Sequence, residues 1–109
     1  YKRQITVTIH RSNDSYAGFK VVGHAGYAEE GYDIICAAVS VLVVNAVNSI
    51  ETFTDDKFAA REDHGIVELI LEGSVSDKTT LLLDSMILGL RDIQTQYGNE
   101  FIRLKIEEV

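Results

Sequence analysis

The sequence predicts an α+β protein built as a two-layer sandwich, in which two helices pack on one face of a mostly antiparallel β-sheet. Short alternating segments predict strands, two segments of about twenty residues predict helices, and polar turns join the strands in pairs. The elements follow in the order ββαββαβ, a pattern typical of helices gathered on one side of a sheet. Residues 1–109 are predicted to form a single domain, because 109 residues suit one hydrophobic core.

A β-hairpin is predicted at the start of the chain. Ile and Val alternate with Thr over residues 5–9, which indicates a strand with one buried face. Residues 12–15 form a turn of Ser, Asn and Asp, whose side chains bond to their own backbone. The second strand is predicted over residues 19–23, so that residues 4–24 form an antiparallel hairpin with His24 at its end.

The longest apolar segment predicts the first helix, over residues 34–53. Its valine content favours a strand, but about twenty residues without a turn is too long for an ordinary strand. Asp33 is the predicted N-cap. The first three turns are apolar nearly all round, and a small domain has few elements to cover them. We therefore expect a homodimer.

A second hairpin follows, with strands at residues 58–62 and 66–72 joined by a turn at residues 63–65. A final strand is predicted over residues 101–107, where Ile and Leu alternate with Arg and Lys.

The second helix is predicted over residues 78–97 and carries an apolar stripe. Ser74, Ser76 or Asp77 can cap its start, and Gly98 ends it. Gly89 inside the helix costs about 1 kcal/mol relative to alanine, which predicts close packing against a neighbouring element.

Composition restricts the partners and the compartment. The net charge is −7, whereas proteins that bind nucleic acids usually carry a basic face, so no direct nucleic-acid binding is expected. The single cysteine cannot form an intramolecular disulfide, and no apolar signal segment is visible, which predicts a cytoplasmic protein. The apolar run at residues 34–47 is shorter than a bilayer span, so no membrane association is expected.

Cys36 and His24 are the candidate catalytic residues. Cys36 lies in the first turn of the predicted helix, where free N–H groups and the helix dipole stabilise an anion. His24 ends a strand, and the two could form a thiolate–imidazolium pair whose oxyanion is held by the same N–H groups. Taken singly, a cysteine among Ile, Ala and Val is more often a buried small hydrophobe. No metal site or cofactor is expected, because the histidines and Cys36 lack the paired spacing of metal ligands.

Two neighbours of Cys36 are possible supporting residues. Asp33 either caps the helix or orients His24 as the acid of a triad does. A carboxylate beside the thiol would disfavour its ionisation, so the cap is the preferred role. Ser40 lies one turn after Cys36 and could bond near the site, although a helix serine is usually only packed or bonded to its own backbone.

Residues 25–32 form a loop that is either an ordinary surface loop or a lid that orders when substrate binds. Its acidic pair is either a solvated tip or a contact for basic side chains of a substrate, and its tyrosines either line a pocket or touch the body of the domain. The candidate substrate-loop residues are Gly26, Tyr27, Glu29, Glu30, Gly31 and Tyr32.

The segment at residues 23–40 resembles the signature of the bacterial ribosomal-processing cysteine protease family, Prp. That signature is G-H-A, a short glycine-bearing loop, then G-x-D-I-[VI]-C-A-[AG]-V-S, and residues 23–25 and 31–40 match it. The resemblance implies a dimeric cysteine endopeptidase with Cys36 as nucleophile, His24 as base and the loop as a mobile cover. It further implies removal of the N-terminal extension of large-subunit ribosomal protein twenty-seven.

Two alternatives belong to other functional classes. A non-catalytic dimeric adaptor would bind a ribosomal protein or an assembly intermediate and use Cys36 only as a core residue. A redox sensor would use Cys36 alone and form a sulfenic acid or an intermolecular disulfide on mild oxidation. Both differ from a protease in cleaving no peptide bond.

Overall fold

The computed structural model describes residues 4–23 and 32–109, which form seven helices and strands. In order these are β1 (Ile5–Ser12), β2 (Ser15–Val22), α1 (Tyr32–Phe53), β3 (Lys57–Asp63), β4 (Ile66–Glu72), α2 (Asp77–Tyr97) and β5 (Ile102–Glu108). The predicted order ββαββαβ is confirmed.

The five strands form one sheet in the order β3-β4-β2-β1-β5. Every neighbouring pair is antiparallel except β1 and β5, which run parallel because the chain crosses over through α2 before entering β5. The two helices pack against each other and against one face of the sheet. The predicted two-layer sandwich is therefore confirmed.

The core lies between the sheet and the two helices. Inward-facing residues alternate along β1, where Ile5, Val7 and Ile9 are at most 1% exposed. Each such side chain stabilises the fold by about 1.5–3 kcal/mol through burial. Facing them on α1 and α2 are the buried side chains of Ile35, Val39, Val43, Ile50, Leu83, Met86 and Leu90.

The first hairpin is longer than the sequence pattern indicated. β2 begins at Ser15 rather than at residue 19, because Asn13 and Asp14 take left-handed conformations, with φ of 51° and 65°, and close a two-residue turn. A register shift between His10 and Arg11 lets the pairing continue to that turn.

The start of α1 corrects the prediction for Asp33. The helix begins at Tyr32, so Asp33 lies within the first turn and is not the N-cap. A helix start is set by backbone hydrogen bonding, and an acidic residue is favourable next to the positive helix end in the first turn as well as at the cap. The residue type therefore located the helix start only approximately.

The ends of α2 agree with the sequence. Ser76, one of the three candidate residues, is the N-cap: its Oγ accepts a hydrogen bond from the Thr79 N–H at 3.3 Å. Gly98 closes the helix by donating its N–H to the Gln94 carbonyl at 2.8 Å.

Gly89 lets the two helices approach closely. A Cβ at this position would lie 2.9 Å from Leu42 Cδ1 of α1. The predicted close packing of Gly89 is confirmed.

Two carboxylates join α2 to the rest of the fold. Asp56 accepts hydrogen bonds from the N–H and the hydroxyl of Ser76, both at 2.8 Å. The Thr79 hydroxyl and the Ser76 N–H hold the pKa of Asp56 below its usual range. Tyr16 of β2 donates its hydroxyl to Asp84, and burial together with this carboxylate raises the pKa of Tyr16 to about 12.

The segment Ile34–Phe53 is long and apolar enough to cross a membrane by length and composition, with a mean hydropathy of 1.9. It is longer than the apolar run at residues 34–47 on which the sequence argument depended. In this fold the segment forms most of α1, and core helices commonly pass the same test. Its Ile35, Val39 and Val43 pack against the sheet and are at most 1% exposed.

Candidate active site

Cys36 lies near the N-terminus of α1 and is only 6% exposed. The sequence predicted Cys36 as the third residue of the helix. Because the helix starts at Tyr32, the cysteine is instead its fifth residue. Helical side chains lean toward the N-terminus of their helix, so the sulfur points toward the first turn and its unbonded N–H groups. The predicted setting of a thiol at the positive end of a helix is thus retained.

The Cys36 thiol donates a hydrogen bond to the carbonyl oxygen of Gly23, with 3.6 Å between Sγ and O. Gly23 follows the last residue of β2 and is joined by a peptide bond to His24. The contact therefore places the sulfur beside the main chain that leads directly into the candidate base.

Gly23 is held in place from two sides. Its N–H donates to the carbonyl of Gly65, in the β3–β4 turn, at 2.9 Å. Its φ is +97°, and a Cβ would lie 3.0 Å from the carbonyl oxygen of Gln4. An L-amino acid is disfavoured here by both its dihedral angle and its side chain. Glycine thus fixes the carbonyl that the thiol contacts.

The remaining predicted site residues lie outside the described part of the chain or at its border. His24 and the loop residues Gly26, Tyr27, Glu29, Glu30 and Gly31 are outside the described residues. Tyr32 and Asp33 begin α1, and their side chains are outside the description. Apart from the N-cap role of Asp33, which the start of α1 corrects, the roles assigned to these residues stay predictions.

Ser40 is half-buried and lies one helical turn beyond Cys36 on the same side of α1. Ser40, one of the two possible supporting residues, thus lies in the helical turn next to Cys36. Among the described residues, no three His, Cys, Asp or Glu side chains cluster closely enough to hold a metal ion.

The Gly23 carbonyl is the site feature that sequence reasoning missed. Every residue has a carbonyl, so no residue type marks the one that a thiol will contact. The only available signal was the glycine before the histidine, which indicates an unusual backbone conformation.

The geometry is that of a thiol held near a helix N-terminus. Attack by a thiol on a substrate requires a base that removes its proton. The first-turn N–H groups of α1 are donors suited to an oxyanion that forms near the sulfur.

Comparison with known proteins relates the chain to cysteine proteases. Residues 4–102 match the family model of the cysteine protease Prp. The ribosomal processing cysteine protease Prp of Bacillus subtilis is 33% identical over 100 residues, covering 85% of this chain and 89% of the relative. The corresponding protein of Mycoplasma pneumoniae is 36% identical over 92 residues, covering 84% of this chain and 80% of the relative.

The fold is also similar to solved structures. A crystal structure of the essential ribosomal processing protease Prp from S. aureus, in complex with a substrate peptide, superposes with a TM-score of 0.87 at 29% identity. The matched region covers 95% of this chain and 100% of the S. aureus chain. A second structure of the S. aureus protease, with a covalently linked product peptide, gives a TM-score of 0.84 at 30% identity over the same shares of both chains.

Proposed function

The chain belongs to the cysteine protease Prp family, and we propose that it removes the N-terminal extension of large-subunit ribosomal protein twenty-seven by hydrolysing one peptide bond. The observation that carries the proposal is the 3.6 Å hydrogen bond from Cys36 Sγ to the carbonyl of Gly23. It brings a thiol at a helix N-terminus to the residue that precedes His24. The S. aureus relatives, with a substrate peptide and a covalently linked product peptide, support peptide hydrolysis.

In the proposed mechanism, His24 takes the proton from the Cys36 thiol, and the sulfur attacks the carbonyl carbon of the scissile bond. The oxyanion accepts hydrogen bonds from N–H groups in the first turn of α1. Collapse of the intermediate breaks the C–N bond as His24 gives its proton to the leaving amine. Water, deprotonated by His24, then hydrolyses the thioester, releases the new carboxyl end and restores the thiol.

Burial of the sulfur has a consequence for this mechanism. At 6% exposure, Cys36 cannot meet a peptide carbonyl unless the groups around it move. We therefore expect peptide binding to be accompanied by a rearrangement that exposes the sulfur.

Supporting roles follow from the predicted loop. Residues 25–32 would cover the bound peptide, with Tyr27 and Tyr32 lining an apolar pocket and Glu29 and Glu30 meeting basic side chains. A chain of net charge −7 would also attract a basic ribosomal protein, which raises the encounter rate more than the specificity. The cytoplasm, where ribosomal proteins are made, is the compartment we propose.

We further propose a homodimer that uses the outer surface of the helix layer. Three large apolar side chains are between 63% and 68% exposed there: Ile34 on α1, Leu81 and Leu88 on α2. Apolar side chains gathered on a helix surface are typical of a protein interface.

The test is cleavage of a synthetic peptide that spans the N-terminal extension and the first residues of the mature ribosomal protein from the same organism. Products are identified by mass spectrometry, and a peptide of the same composition in scrambled order is the control. We expect one cut in the native peptide and none in the scrambled one. If the folded enzyme leaves the native peptide intact but cuts other peptides, the assigned substrate is wrong and the protease chemistry stands.

A further inference from the structure

A pocket of about 200 Å³ lies between α1 and the edge strand β3. Val44 and Val47 of α1 and the buried Val67 of β4 line it, and Ala60 of β3 forms its wall. Ala60 pairs in register with the buried Leu69, so it lies on the helix side of the sheet, where a larger side chain would fill the space. An apolar cavity of about 150 Å³ holds a benzene molecule, so this pocket can hold one large side chain.

A shallow surface depression on α1 adjoins the pocket and shares Val44 and Asn48 with it; its lining is Ser40, Val41, Val44, Asn45 and Asn48. Cys36, Ser40, Val44 and Val47 recur at intervals of four, four and three residues, which places them on the same side of the helix. This side of α1 therefore leads from the helical turn that carries the thiol to the pocket beside β3.

The spacing suits a peptide bound in an extended conformation. Val44 and Asn48 lie about 12 and 18 Å beyond Cys36 along the helix axis, at about 1.5 Å per residue. An extended peptide covers that distance in about four or five residues. β3 pairs with β4 on one side only within the described sheet, so its outer edge can align such a peptide by strand addition.

The polar groups around the pocket favour a basic polypeptide over an acidic one. Glu62, Asn48 and Arg61 complete its lining. Arg61 directs its side chain to the opposite face of the sheet, where its Nε donates to Glu68 at 3.0 Å. The pocket is therefore apolar inside and acidic at its margin.

We propose that this pocket, which we call the β3 pocket, binds an apolar or aromatic side chain of the peptide substrate, four or five residues from the cleaved bond. The proposal rests on the proposed protease function, because the side of α1 shared with Cys36 leads to the pocket and thereby assigns it the substrate as occupant. The occupant is a segment of a basic polypeptide in an extended conformation.

Filling the pocket tests the proposal. Ala60→Phe places an aromatic ring in the space, whereas Ala59→Phe, the neighbouring residue, directs the same ring to the opposite face of the sheet, beside Ile70. We expect Ala60→Phe to lower kcat/KM on the native peptide by about tenfold or more, mainly through KM. Ala59→Phe should stay within about twofold of the wild type.

A peptide series identifies the side chain involved. Each apolar residue four or five positions from the cleaved bond, on either side, is replaced by alanine. One replacement should reduce cleavage by the wild type about as much as Ala60→Phe does, and should cause little further loss in the Ala60→Phe enzyme. The proposal would be overturned if Ala60→Phe and Ala59→Phe lowered kcat/KM equally. It would also be overturned if the loss from each alanine replacement in the peptide added fully to the loss from Ala60→Phe.

Binding is measured separately from chemistry, so that failure of the pocket and failure of the protease function are distinguishable. The Cys36→Ala protein is titrated with the fluorescently labelled native peptide, with and without Ala60→Phe. A dissociation constant raised about tenfold by Ala60→Phe supports the pocket even if no cleavage occurs. Unchanged affinity overturns it, as does a change of oligomeric state, which would show that a second copy of the chain fills the pocket.

Discussion

Replacing Gly23 by alanine tests whether this residue positions the active site. Gly23 and Gly98 have nearly the same φ, +97° and +99°, but an added Cβ meets the Gln4 carbonyl oxygen at 3.0 Å in Gly23 and nothing within 4 Å in Gly98. Gly98→Ala therefore measures the cost of a positive φ without a close contact, and Gly23→Ala measures the cost of a positive φ together with the contact.

The expected magnitudes follow from these two terms. Gly98 combines its positive φ with a ψ of 160°, a conformation that costs an L-residue about 1–3 kcal/mol, and the reduced entropy of the unfolded chain returns about 0.4–1 kcal/mol. Gly98→Ala should thus lower the free energy of unfolding by about 1 kcal/mol. Crowding against the Gln4 carbonyl adds at least about 1 kcal/mol, so Gly23→Ala should cost about 2–3 kcal/mol.

Urea unfolding followed by circular dichroism measures the stabilities, and peptide cleavage measures function. Because Gly23 supplies the carbonyl that Cys36 contacts, Gly23→Ala should also lower kcat/KM by about tenfold, under conditions in which both variants are folded. Gly98→Ala should leave kcat/KM within about twofold of the wild type. Equal stability and equal activity of the two variants would refute the role given to Gly23.

Two further predictions concern the carboxylate of Asp56, which binds the N-cap Ser76, and the proposed dimer. Asp56→Asn should lower the free energy of unfolding by about 1–2 kcal/mol at pH 7, since its bonds to Ser76 lose their charge. The pKa of Asp56 is lowered in the folded protein, so this stabilisation is complete above about pH 5 and disappears as the pH falls through the folded-state value. The free energies of unfolding of the wild type and Asp56→Asn, measured in urea, should therefore converge at low pH; an unchanged difference there would contradict this account. Leu88→Asp should convert a dimer into monomers in sedimentation velocity, whereas Ile70→Asp, on the opposite face of the sheet, should not; a monomeric wild type would exclude the dimer.

Much of the fold follows from local patterns in the sequence. β4 was predicted with its observed bounds because a short run of large apolar side chains follows the turn at residues 63–65 and ends before Gly73, and Gly89 was correctly expected to mark a close contact. The start of β2 was missed because Tyr16, Ala17 and Gly18 show no clear alternation. Their strand conformation depends on pairing with β1, which is a tertiary effect.

The candidate site was predictable only where residue type carries the chemistry. Cys36 was identified from its single occurrence and its position near a helix start. One partner of its thiol is a main-chain carbonyl, and the β3 pocket depends on Ala60 coming to lie across from Val44. Neither contact has a local sequence pattern, since each joins residues far apart in the chain.

Cleavage of the native peptide by wild-type, Cys36→Ala and His24→Ala proteins tests the central claim most directly. Each variant is first shown to be folded by circular dichroism, and the rates are compared at a saturating peptide concentration. We predict that only the wild type cleaves, because each variant lacks a group that forms or breaks bonds, with rates reduced by at least about a thousandfold. Cleavage by the Cys36→Ala protein at the wild-type rate would contradict the assignment of the nucleophile, and cleavage by His24→Ala at that rate would contradict the assignment of the base.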